Sequence, residues 1–293
     1  MISPPPMRIG YGAMRLTGPG AWGPPPAGVD ATRVLQAARE HGVTWFDTSD
    51  AYGPHLSEEQ IREALHPYEG LTVVTKGGQT RSGPTEWAPV GRPEYLRQCA
   101  ALSLRRLDVE ALDLYLLHRR DPQVPWAEQV GALAELMQRG WVREIGLSNV
   151  TVAELTEAQQ VAPISVVQNR YNLAERQDEE MVEYCTRNGL VYMAWFPVAR
   201  GVLSTAPDQS LPTRPGPPDP EVPRALKSAI HEVADGQKAS AAAVSLAWLL
   251  ARSPAVVPIP GTTDLGHLAD NCAAAQLELN DTDLATLNAA SKD

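Results

Sequence analysis

The 293-residue chain carries 25 Lys and Arg against 35 Asp and Glu, a net charge of −10, with 43 % hydrophobic and 20 % charged residues. That composition supplies a large core, and its sign argues against nucleic acid or an anionic membrane as partner. Three scattered cysteines form no CxxC pair, no run reaches the ~18 apolar residues that span a bilayer, and residues 1–6 hold no signal-peptide core, so a cytoplasmic protein with free thiols is expected.

Short apolar runs at 9–12, 44–47, 71–75, 113–117, 144–147, 165–167, 191–195 and 256–259 read as strands. Most are apolar on both parities, the pattern of parallel strands buried on both faces. Helical periods lie between them. One opens at Pro93 and repeats at Leu96, Ala100, Leu104 and Leu107; another carries Val244, Ala247, Trp248 and Ala251 on one face, which makes Trp248 a core residue. The alternation predicts an α/β protein, one closed (β/α)8 TIM barrel over residues 1–293. The rival, an open doubly wound sheet, lacks a GxGxxG after its first strand and any Walker-type loop.

Two segments interrupt the rhythm: 77–92 after the third strand, rich in Gly and Pro, and the proline-dense 197–223 after the seventh. Both are expected to be long loops at the barrel mouth that shape a substrate site, with Trp22 and Trp87 as candidate aromatic lining. Trp126 reads as the start of a helix. His41, His66 and His231 read as residues of helix surfaces or ends, and His55 as a loop residue that either touches substrate or is solvated.

In such a barrel the residues ending the strands meet at one mouth. Here they are polar or aromatic: Asp47 with Tyr52 just beyond it, Lys76, His118, Ser148 and Asn149, Gln168, Trp195, and then Gly261, Thr262, Thr263 and Asp264. A phenol has a reference pKa of about 10 and is a poor acid near neutrality. An ammonium beside it favours the phenolate, and a carboxylate beside the ammonium keeps that charge in place. Tyr52, Lys76 and Asp47 would then protonate a carbonyl oxygen, with His118 orienting the substrate. No GxSxG, Cys–His pair or HExxH metal motif supplies a nucleophile, so a cofactor's hydride is the expected attacker and no metal is expected. Ser148, Asn149 and Gln168 suit a nicotinamide carboxamide, and Trp195 offers a face for its ring. Thr262, Thr263 and Asp264 precede a helical period and could cap a phosphate-binding helix.

The motifs Phe46-Asp47-Thr48-Ser49-Asp50-Ala51-Tyr52-Gly53, Val74-Thr75-Lys76-Gly77-Gly78, Leu116-Leu117-His118-Arg119, Gly146-Leu147-Ser148-Asn149, Gln168-Asn169 and Ile259-Pro260-Gly261-Thr262 resemble those of the aldo-keto reductases, from Arg8 to Asn271. These are (β/α)8 barrels that reduce aldehydes and ketones with NADPH. The resemblance implies a catalytic tetrad of Asp47, Tyr52, Lys76 and His118, with Tyr52 as proton donor. It places Ser148, Asn149 and Gln168 at the carboxamide, Trp195 at the stacking aromatic, and Asp270 and Asn271 at the adenine. Arg200 could also reach the cofactor. Gly10-Tyr11-Gly12-Ala13-Met14, Trp22-Gly23-Pro24-Pro25 and Asp50-Ala51-Tyr52-Gly53-Pro54-His55 look like a bacterial branch that includes pyridoxal reductases, hence a pyridoxal-type carbonyl as one expected substrate. Where many members carry Lys and Arg for the 2′-phosphate, this chain has Gly261 and His267. That keeps NADH beside NADPH and leaves the oxidising direction open. Asp50 falls out of register with the tetrad and is expected to be a loop hydrogen-bonder. The alternative function is a cofactor-binding regulatory barrel similar to potassium-channel β subunits. No motif specifies an oligomeric state.

Overall fold

The computed structural model describes residues 2–207 and 221–291. In chain order its strands are β1 (Tyr11–Gly12), β2 (Trp45–Asp47), β3 (Thr72–Gly77), β4 (Gln79–Gly83), β5 (Glu86–Pro89), β6 (Leu112–Leu117), β7 (Val142–Ser148), β8 (Ile164–Arg170), β9 (Val191–Trp195) and β10 (Val256–Pro258). The helices are α1 (Ala31–Glu40), α2 (Leu56–Leu65), α3 (Pro93–Leu107), α4 (Trp126–Gln138), α5 (Val152–Gln159), α6 (Glu179–Asn188), α7 (Arg224–Gln237), α8 (Ala241–Arg252), α9 (Leu265–Ala273) and α10 (Asp281–Ala290).

Eight strands pair in parallel in the order β1-β2-β3-β6-β7-β8-β9-β10. The free edges then meet: Gly10 N–H donates to Pro258 O at 3.0 Å and Gly12 N–H to Pro260 O at 3.1 Å. A (β/α)8 barrel results, as the alternation of runs predicted. Glycine makes the seam possible. A Cβ on Gly12 would lie 2.7 Å from Ile259 O, and one on Gly261 would lie 2.2 Å from Gly12 O.

Strand side chains alternate between the two faces. Phe46, Val73, Tyr115, Leu117, Val167 and Ala194 pack outward in one cluster with helix residues such as Leu35, Ile61, Leu96 and Trp248. Trp45, Val74, Leu114, Leu116, Val166, Met193 and Val257 belong to a second cluster with no helix residue in it, the barrel interior. Trp248 is fully buried in α8, as the periodicity predicts, and Trp126 opens α4, as expected of a helix start, and is buried.

One expectation is corrected. Residues 77–92 do not form an irregular loop: β4 and β5 pair antiparallel into a hairpin, with Gln79 opposite Pro89 and Gly83 opposite Glu86. β4 is polar (Gln-Thr-Arg-Ser-Gly) and β5 (Glu-Trp-Ala-Pro) is short and largely exposed, so no apolar period marked either strand. Of the segment 197–223, short 3₁₀ turns over Ala199–Ser204, broken by left-handed Arg200 and Gly201, follow β9, while residues 208–220 lie outside the described residues.

Candidate active site

The inward parity of Trp45, Val74, Leu116, Val166 and Met193 runs one step further along each strand. It reaches Asp47, Lys76, His118, Gln168 and Trp195, so alternation alone aims these side chains into the barrel mouth. Gly146 continues likewise to Ser148.

Lys76 is fully buried. Its ammonium lies 2.7 Å from Asp47 Oδ1, donates to Asp47 Oδ2 at 2.8 Å and to the Thr48 carbonyl at 2.7 Å, and stands 5.2 Å from the Tyr52 ring centroid. A buried ammonium normally loses its proton. Burial does act in that direction here, but Asp47 and Tyr52 outweigh it and hold Lys76 above the usual lysine range. Gln168 donates to Asp47 Oδ1 at 2.7 Å, fixing the carboxylate from the opposite side of the barrel. Desolvating a lone pair of charges can cost more than their attraction returns, and these extra hydrogen bonds tip that balance.

Tyr52 lies on the loop after β2, 7 % exposed. The loop is pinned to β3 by Thr48 N–H on Val74 O (2.7 Å) and Asp50 N–H on Lys76 O (3.2 Å), and to residues 21–23 by Gly53 N–H on Ala21 O (3.0 Å). Gly53 turns at φ +98°, where a Cβ would meet Leu56 Cβ at 2.5 Å, so only glycine fits. Burial raises the Tyr52 pKa above its ordinary value, the Lys76 charge lowers it, and Asp47 raises it again. The net direction is upward, whereas the residue types alone suggested a lowered phenol. At neutral pH Tyr52 is therefore protonated, the form a proton donor needs.

His118 follows β6, its ring edge-on to Tyr52 at 5.8 Å between centroids, with Nδ1 3.0 Å from Ser49 Oγ. Burial first, then the Lys76, Arg119 and Arg81 charges, push its pKa well below the usual histidine value, so the imidazole is neutral. Above these groups sits Trp87 of the hairpin, 6.4 Å from the Tyr52 ring and 6.2 Å from His118. The Arg81 guanidinium stacks on Trp87 at 3.4 Å and lies 5.5 Å from the Trp22 ring. Its nitrogens donate to the carbonyls of Gly20, Ala21, Ala51, Gly83, Pro84 and Glu86. Arg81 thus ties the hairpin, the segment around Trp22 and the Tyr52 loop together. Sequence reasoning passed over it, although it is the sole cation of the stretch between Lys76 and Arg92.

The expected cofactor residues fall in two groups. Ser148, Asn149, Gln168 and Trp195 line the far side of the mouth. Asn149, in the left-handed region at φ +59°, donates to Ser148 Oγ at 2.8 Å, and the buried Trp195 indole N–H has no partner among the described residues. Thr262, Thr263, Asp264 and His267 gather at the start of α9. There Asp264 caps the helix itself, accepting from His267 N–H at 2.8 Å, while Thr262 Oγ1 accepts from Asp264 N–H at 3.1 Å. Further along α9, Asp270 is exposed and Asn271 buried. Arg200 turns at φ +58° in the segment after β9. The contact of Gly261 with β1, where a Cβ would lie 2.2 Å from Gly12 O, leaves no room for a longer side chain on this backbone.

A model of the aldo/keto reductase family matches residues 8–292. The chain belongs to the aldo/keto reductase family. This reductase is 39 % identical to pyridoxine 4-dehydrogenase of Escherichia coli over 293 residues, covering 98 % of this chain and 95 % of that protein. Among solved structures it is similar to the glycerol dehydrogenase of Gluconobacter oxydans (TM-score 0.86, 27 % identity, 97 % of this chain and 90 % of that one). It is likewise similar to an aldo-keto reductase from Klebsiella pneumoniae in complex with NADPH (TM-score 0.76, 25 % identity, 96 % and 90 % coverage). No helix among the described residues is long and apolar enough to cross a membrane.

Proposed function

We propose that this aldo/keto reductase reduces an aldehyde or ketone to the alcohol with NADPH, Tyr52 delivering the proton to the carbonyl oxygen. When bound, the reduced nicotinamide supplies the hydride. Ser148 and Asn149 would meet its carboxamide. Gln168, whose amide nitrogen is engaged by Asp47, would offer its oxygen there, and the unpartnered Trp195 indole lies beside the same position. This donor and acceptor set fits the group. Thr262, Thr263 and the exposed His267 would receive the 2′-phosphate with hydroxyls and an imidazole, and Arg200, Asp270 and Asn271 are the remaining cofactor candidates.

One observation carries the reading: a fully buried ammonium, fixed by a carboxylate that is itself fixed, faces the ring of a protonated buried tyrosine. As the carbonyl oxygen gains charge, Tyr52 gives up its proton, and Lys76 stabilises the phenolate left behind. Neutral His118 steers the substrate oxygen. Trp87 stands about edge-on to the Tyr52 and His118 rings, with Trp22 as a further candidate wall, an aromatic rim that suits an aromatic carbonyl, and similarity to a pyridoxine 4-dehydrogenase favours one of the pyridoxal type. Buried free Cys99, Cys185 and Cys272 are consistent with a cytoplasmic protein.

The test is a panel of carbonyl compounds, pyridoxal among them, scored by loss of NADPH absorbance with the wild type and Tyr52→Phe. Turnover should drop ~10²–10⁴-fold in the variant while NADPH still binds. Undiminished turnover would reject Tyr52 as the donor.

A further inference from the structure

Asp50 is a second buried carboxyl in the Tyr52 loop, 5 % exposed, and the mechanism above does not use it. Unlike Asp47 it makes no ion pair among the described residues. The cation whose charge acts on it, Arg106 on α3, is taken by Glu58 on α2 at 2.5 Å, and Glu58 also accepts from Thr75 at 2.6 Å. The other titratable groups around Asp50 are Cys99 and Tyr95 on α3, Tyr115 on β6 and Tyr52 itself. All of these are neutral near pH 7, with the Cys99 thiol pushed up to about 12 by burial.

The Asp50 carboxyl, which also bonds the Cys99 thiol, meets His118 through the Ser49 hydroxyl. Ser49 Oγ lies 3.2 Å from Asp50 Oδ1, 3.0 Å from His118 Nδ1 and 3.3 Å from the Lys76 carbonyl, and it accepts from Ala51 N–H at 3.1 Å. The hydroxyl has one proton for these acceptors. We propose that Asp50 is a positioning residue which, through Ser49, decides which ring nitrogen of His118 carries the proton. This rests on the reading of His118 as the group that steers the substrate oxygen.

When Asp50 is ionised, its carboxylate takes the Ser49 proton in a charge-assisted bond. Ser49 Oγ then accepts from Nδ1–H, and His118 Nε2 is left bare. When Asp50 is protonated, its O–H donates to Ser49, Ser49 donates to Nδ1, and Nε2 bears the ring proton. Converting the second state to the first moves the Asp50 proton to Ser49 and the Ser49 proton to Nδ1, and releases the Nε2 proton to solvent. Only the Nε2–H form can donate to a carbonyl oxygen, whereas a bare Nε2 can accept from an alcohol. The protonated state therefore suits reduction and the ionised state oxidation. Burial first, then the Glu58 charge, bring Asp50 up to about 7, so both states are populated near neutrality while His118 stays uncharged.

The tautomer is read directly, without turnover, from the imidazole nitrogen signals of the full-length protein with ¹⁵N-labelled histidine, His118 being assigned by its loss in His118→Gln. In the wild type His118 should pass from Nε2–H to Nδ1–H as pH rises through about 7. In Asp50→Asn, whose amide donates to Ser49 at every pH, it should stay Nε2–H, and the fall of carbonyl reduction by about 10-fold between roughly pH 6 and pH 8 should disappear. A wild-type His118 that keeps one tautomer over this range overturns the proposal, with no need for the variant to fold. So does the same transition in wild type and Asp50→Asn. Failure of the Tyr52 reading is a separate result, since it shows in the turnover of Tyr52→Phe and leaves the nitrogen signals unaffected.

Discussion

Tyr52 is held from two sides by different physics. Beneath it, Asp47, Lys76 and Gln168 stand on three strands of the barrel and form a buried charged network with hydrogen bonds of 2.7–2.8 Å. Above it, Trp22, Trp87 and Arg81 belong to a loop and a two-stranded hairpin, held by one guanidinium stacked on aromatic rings and bonded to backbone carbonyls. In the proposed mechanism the floor sets the protonation state of the reacting groups, and the rim sets what can reach them. Damage to the floor should therefore appear in kcat and in stability, and damage to the rim in KM.

The largest expected effect comes from Lys76→Met. It leaves the Asp47 carboxylate buried without its cation, an arrangement that typically costs about 3–5 kcal/mol, and it also abolishes turnover. Urea unfolding together with kcat would check this, and a variant of wild-type stability would show that the pair is not what fixes the floor. Next is Asp50→Asn. Asp50 is raised from 3.8 to about 7 in the folded protein, so folding favours its protonated form. Its contribution is fully present below about pH 4 and is lost as pH rises toward 7, by an amount on the order of 4 kcal/mol. The asparagine variant should match the wild type near pH 4 and exceed it in stability by pH 8, as unfolding midpoints at the two pH values would show.

At the rim, Arg81→Lys removes the planar stack and most of the carbonyl contacts while keeping the charge. The expected outcome is a rise in KM of roughly 10-fold with a much smaller change in kcat; the reverse pattern would place Arg81 with the floor. The smallest effect lies outside both regions. Asp264 puts a carboxylate at the start of α9, where the 2′-phosphate of NADPH is proposed to sit. At about 4 Å in water, repulsion between two unit charges is ~1 kcal/mol, so Asp264→Asn should tighten NADPH about 5-fold and leave NADH unchanged in fluorescence titrations.

Position 264 also shows how far sequence reasoning reaches. Its place as a helix cap was legible, because Asp before a helical period is a local signal, but whether the capped helix end is free for phosphate depends on where that carboxylate turns. Asp50 is the sharper example. In sequence it differs from Asp47 only by three positions, and it was expected to be a loop hydrogen-bonder. The bond to Ser49 exists, but the absence of an ion pair among the described residues and the approach of His118 arise only when α2, α3 and β6 pack around the loop. Gln168 was expected to serve the cofactor alone. Its bond to Asp47 joins residues 121 positions apart and could not be read from either motif.

The sequence by itself determined the barrel and the inward set of Asp47, Lys76, His118, Gln168 and Trp195. Strand alternation has a period of two, and the ends of parallel strands converge, so local pattern suffices. Tertiary structure decided the rest: the 77–92 segment became a hairpin, Arg81 became its fastener, and the net shift of Tyr52 went upward. Burial and the company of distant groups set those outcomes, and neither is a property of any one stretch of chain.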